Sequence, residues 1–83
     1  METRVALIGI MVEDNDEVDT LNNLLSQFGE YIIGRMGIPY QQKGVSLISI
    51  AIDAPPDKIS ALSGKIGRLK GISAKVIYQK AMS

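Results

Sequence analysis

Val45-Ser46-Leu47-Ile48-Ser49-Ile50-Ala51-Ile52 is apolar on both sides of an extended chain. Successive side chains of a strand point to opposite faces of its sheet. One row is Ser46, Ile48, Ile50 and Ile52, and the other is Val45, Leu47, Ser49 and Ala51. A short, β-branched run bounded by Gly44 and Asp53 reads as a strand in the middle of a sheet. Residues 4–12, Arg4 to Val12, repeat the pattern, with Ala6, Ile8, Ile10 and Val12 on one side and Val5, Leu7, Gly9 and Met11 on the other. The rows beginning at Ser46 and Ala6 are expected beneath helices.

Those helices flank the two strands. Glu13-Asp14-Asn15-Asp16-Glu17 ends the first strand, and Asp14 with Glu17 three residues later has the form of a capping box. Val18, Leu21, Leu24, Leu25 and Phe28 then recur at helical spacing, and Gly29 is expected to stop that helix. A second strand is expected over 30–38, closed by Pro39, with its Met36 in the core. Asp53-Ala54-Pro55-Pro56-Asp57 is expected to open a second helix, proline being tolerated in the first turn. Its stripe is Ile59, Leu62, Ile66 and Leu69, with Gly71 at its end, and residues 72–79 supply a fourth strand. Strand-helix-strand, twice over, predicts an α+β fold. It is the ferredoxin-like βαββαβ plait, a four-stranded antiparallel sheet with both helices on one face, in a single domain over 1–83.

That plait leaves one sheet face without a cover. A face open to water is ordinarily polar, whereas Val5, Leu7, Val45 and Leu47 are expected to point outward here. A chain of this length buries only about 60–65% of its unfolded surface, and it has no cysteine for a disulfide. Association with itself, as a homodimer or homotetramer, is therefore expected, with those four residues at the interface.

Composition removes several chemistries. The 83 residues contain no His and no Cys, hence neither the commonest general base nor a thiolate. No catalytic set, phosphate-binding glycine loop or calcium loop is present, so no catalytic residue, metal site or cofactor is expected. Nine basic residues balance nine acidic ones, which argues against a phosphate-coating surface. Lys43-Gly44-Val45-Ser46-Leu47-Ile48-Ser49-Ile50 fits the frame of the RNA-recognition signature, but aliphatic residues fill its aromatic positions, and base stacking needs a flat π face. Gly64-Lys65-Ile66-Gly67 resembles an RNA-clamping glycine loop, although Ile66 is also required by the helix stripe. Seven of nine acids lie in 2–30 and eight of nine bases in 35–80. An oligomer that assembled Lys65, Arg68, Lys70 and Lys75 into one surface would be the route to nucleic acid; a purely structural interaction module is the other alternative. No run is apolar and long enough to span a membrane, and Met1-Glu2-Thr3-Arg4 leads straight into the first strand, so a cytoplasmic location is expected.

Val5-Ala6-Leu7-Ile8-Gly9-Ile10 with Val12-Glu13-Asp14, then Tyr31-Ile32-Ile33-Gly34-Arg35-Met36-Gly37-Ile38-Pro39-Tyr40, then Ile59 to Arg68 together resemble a family of small bacterial regulators of the iron-only hydrogenase system. That family is similar to the C-terminal sensing domain of the nickel-responsive repressor and, more distantly, to ACT domains. The resemblance implies a non-enzymatic regulator, acting in transcription, that oligomerises and binds a small effector or a regulatory protein at subunit boundaries. The repressor's His and Cys nickel ligands have no counterpart here, and with three residues before the first strand its DNA-binding domain is not expected. The expected effector site lies near the first strand-to-helix loop and the second strand, with Glu13, Asp14, Tyr31, Arg35 and Tyr40 as ligand-binding residues. Among them Arg35, beside Gly34 and Gly37, offers a bidentate fork to a carboxylate or phosphate.

Overall fold

The apolar rows set the layers. In the computed structural model, which describes residues 2–80, strand β1 (Arg4–Val12) buries Ala6, Ile8, Ile10 and Val12 and leaves Val5, Leu7 and Met11 exposed. Strand β3 (Val45–Ala54) buries Ile50, Ile52 and Ala54 on the same side. The two pair antiparallel at the centre of a four-stranded sheet ordered β2-β3-β1-β4, with β2 (Ile32–Tyr40) and β4 (Ile72–Tyr78) at the edges. Helices α1 (Val18–Gln27) and α2 (Pro56–Gly67) bring Leu21, Leu25, Ile59, Leu62 and Ile66 onto one sheet face, and one core cluster results. This is the βαββαβ plait expected from the sequence, an α+β fold. Residues 1 and 81–83 of the expected 1–83 domain lie outside the described residues.

Element boundaries differ from the expectation in instructive ways. β2 runs to Tyr40 and contains Pro39. An edge strand tolerates proline because only one side of its backbone must enter the ladder. Residues 29–31 form a 3₁₀ turn rather than strand, and Gly29 has no positive φ. Asp53 and Ala54 finish β3, and α2 begins at Pro56, where the carbonyl of Pro55 accepts from Lys58 and Ile59. Leu69 lies beyond α2 yet still packs on the core.

Two loops meet closely at one end of the sheet. The Asp14 carboxylate accepts the Asp16 N–H at 2.9 Å and caps a 3₁₀ turn, Asn15–Glu17; α1 itself has no side-chain cap, so no reciprocal capping box forms. Glu13 N–H donates to the Gly71 carbonyl at 2.7 Å. Gly71 has a φ of +72°, and a Cβ there would lie 2.3 Å from that of Asp14. The β1–α1 loop and the turn before β4 are thus clasped backbone to backbone.

Candidate functional site: the open sheet face

The register places every second strand residue on the side away from the helices. β3 offers Val45, Leu47, Ser49 and Ala51, paired on one side with Met11, Gly9 and Leu7 of β1. On the other side a bulge between Ile32 and Gly34 resets β2, so that Gly34, Met36, Ile38 and Tyr40 stand opposite Ala51, Ser49, Leu47 and Val45. Ser73, Lys75 and Ile77 of β4 complete the face beside β1. Among the described residues nine large apolar side chains are exposed, and eight of them are Val5, Leu7, Met11, Met36, Ile38, Tyr40, Leu47 and Ile77 on this face. The ninth, Ile33, sits at the bulge. Met36 is 62% exposed, which corrects its expected place in the core: the bulge moves it to the open side. Val5, Leu7, Val45 and Leu47 all stand where the alternation put them.

The face is not flat. Across its middle the row Met36, Ser49, Gly9, Lys75 has its two smallest members on the two central strands. The result is an open depression of about 320 Å³ over Gly9, bordered by Met11, Leu47, Ser73 and Lys75. A polar cleft of about 200 Å³ lies at the end of the sheet, between Asn15 and the β2–β3 hairpin residues Pro39, Tyr40, Gln41, Gly44, Val45 and Ser46.

The five expected ligand-binding residues do not converge within one subunit. Tyr40 lines the cleft, and its hydroxyl bonds the Gln42 amide oxygen at 2.8 Å. Glu13 and Asp14 are close by in the loop that supplies Asn15, but Asp14 is engaged in its turn. Tyr31 lies in the 3₁₀ turn before Ile32, at the end of β2 opposite Tyr40. Arg35 pairs with Ile50 and so belongs to the helix-covered side, where its guanidinium donates to the Asn22 Oδ1 of α1 at 2.9 Å. Replacing Arg35 by alanine should therefore leave any assembly through the open face intact and lower the melting stability by no more than about 1 kcal/mol, the worth of an exposed hydrogen bond; light scattering and a thermal melt check both.

The cations divided between the two layers likewise fail to form one patch in a subunit. Lys65 lies on α2, its ammonium 5.8 Å from the Phe28 ring centre, whereas Lys75 stands on the open sheet face. Gly64 and Gly67 are within α2 and Ile66 is fully buried, so the glycine-clamp resemblance is helix and core. Among the described residues no three His, Cys, Asp or Glu side chains gather as a metal ligand set, and no helix is long and apolar enough to cross a membrane.

Comparison with known proteins agrees with this architecture. An uncharacterized protein, TM1266 from Thermotoga maritima, superposes with a TM-score of 0.91 at 34% identity, over 95% of this chain and 100% of its own. CPII, a nitrogen regulatory PII-like protein from Thiomonas intermedia K12 bound to ADP, AMP and bicarbonate, shares the fold at 12% identity and a TM-score of 0.59, over 96% of this chain and 100% of its own. A formyltetrahydrofolate deformylase from Pseudomonas putida KT2440 shares it at 14% identity and 0.62, over 87% of this chain and only 28% of the enzyme. No curated protein matches the sequence. A family profile does, over residues 4–76, and the chain belongs to that TM1266-like family, described as "Iron-only hydrogenase system regulator, putative".

Proposed function

We propose that this chain is a non-enzymatic regulatory module that works by assembly. Its open sheet face is covered by protein, and a small effector or a protein partner is read at the boundary so formed, beside the Asn15–Tyr40 cleft. The observation that carries the reading is the concentration of eight exposed large apolar side chains on one face of one sheet. Scattered exposed aliphatics are ordinary on a monomer, but a contiguous patch of several hundred Å² marks an interaction surface. The cleft adds uncharged polar groups of Asn15, Gln41 and Ser46 at the end of the sheet. Membership of a regulator family supports a regulatory rather than a catalytic role, and control of transcription would then pass through a partner.

Native mass spectrometry of the gently purified protein tests this. It should report more than one chain per particle, with a small molecule or a partner retained. Leu47→Lys places an unpaired ammonium in the middle of the face and should return the protein to single, folded chains, a change of at least 100-fold in association. Wild-type protein found as single chains with nothing bound would overturn the reading.

A further inference from the structure

We infer that the occupant of the open face is a second copy of this chain, packed face to face about a two-fold axis that passes beside Gly9, with the depression over Gly9 as the socket for the partner's apolar side chains. The inference rests on the reading that this face is covered, and it names what covers it. Four strands about 4.8 Å apart and about eight residues long present roughly 500 Å² in projection. Two such faces bury about 1,000 Å² or more between them, the size a specific interface needs. The charged residues of the face lie at its rim. Asp53 at the end of β3 and Lys75 on the edge strand β4 are the charged residues whose register sets them on this side. Lys75 is exposed on an edge strand, from which its long side chain can carry the ammonium to solvent, and Asp53 is exposed near the end of β3 remote from Leu47. The relief is self-complementary: Leu47 and Met11 stand next to the hollow at Gly9 and Ser49, and a two-fold rotation presents the raised pair of one copy to the hollow of the other.

Gly9 makes the inference testable without harm to the subunit. A Cβ at Gly9 meets nothing nearer than the Lys75 carbonyl at 4.0 Å. Glycine inside a strand is a weak strand former, and larger residues there favour the extended chain. A graded series, Gly9→Ala, Gly9→Val and Gly9→Phe, is therefore expected to keep the subunit fold by circular dichroism and to weaken self-association in order of size. Filling the socket with Phe should raise the dissociation constant measured by analytical ultracentrifugation about 10-fold or more, as overpacking does in cores. An assembly broken by Leu47→Lys but indifferent to Gly9→Phe would overturn the pairing and leave the regulatory reading standing. Wild-type protein that stays single while holding a different protein or a small molecule on this face would do the same.

Discussion

Replacing Gly71 by alanine is expected to destabilise the protein by about 3 kcal/mol and to lower its melting temperature by about 15 °C. Two costs add. Gly71 sits at a φ of +72°, where an L side chain meets its own backbone at a cost of about 1–2 kcal/mol. Its new Cβ would also lie 2.3 Å from the Asp14 Cβ and 3.2 Å from the Asp14 nitrogen, where carbon pairs rest at about 3.5–4.0 Å. The loops cannot part freely, because the Glu13 N–H is bonded to the Gly71 carbonyl. Gly44→Ala separates the two costs: Gly44 has a similar φ of +66° but nothing within 4 Å of its Cβ position. It should lose only about 1 kcal/mol. Melts at one protein concentration decide this, and equal losses in the two variants would show that the Asp14 approach carries no weight.

Ile8→Ala should cost about 3–4 kcal/mol, while Leu7→Ala, one residue away, should cost the isolated subunit well under 1 kcal/mol. Ile8 is wholly buried on the central strand, between Ile50 of β3 and Val76 of β4, beneath the helices. Truncating it removes packed carbon and leaves a cavity that the surrounding sheet cannot close. Leu7 is 47% exposed on the open face, so in a lone subunit its truncation leaves no hole. Under the proposed pairing its effect belongs to association instead. Denaturant titrations at low and high protein concentration distinguish the two: the Ile8 loss should persist at both, and the Leu7 loss should appear only where subunits associate. A large Leu7 loss at low concentration would mean that this face is already packed within one chain.

The two-row pattern of β1 and β3 is legible in the sequence because these two strands pair without a bulge, so the alternation runs unbroken. The helix stripes of α1 and α2 are legible because their periods likewise run unbroken. β2 is less so. Its bulge at Ile33 shifts one residue of register, and such a shift exchanges the faces of all that follow, which is why Met36 reads as core and stands in solvent. Pro39 looks like a strand terminator until β2 is known to be an edge. The candidate ligand residues suffer from a different defect: nearness in sequence to one strand says nothing of which end or side of the sheet each occupies. Tyr31 and Tyr40 bracket the strand, and Arg35 turns toward α1. Gly9, the least conspicuous residue of its row, carries no signal of a socket until Ser49 and Lys75 are placed beside it by the register.

Pro39 and the bulge at Ile33 have a consequence for polymerisation. An apolar sheet with two free edges is a template on which further strands can add without end, as in amyloid. Pro39 lacks the N–H that such a ladder requires, and the bulge breaks the even spacing at the other end of the same strand. Growth along the β2 edge is thereby blunted at both ends, which leaves β4 as the edge on which a further strand could pair. The proline that would otherwise weaken a strand thus guards one of the two edges of so apolar a sheet.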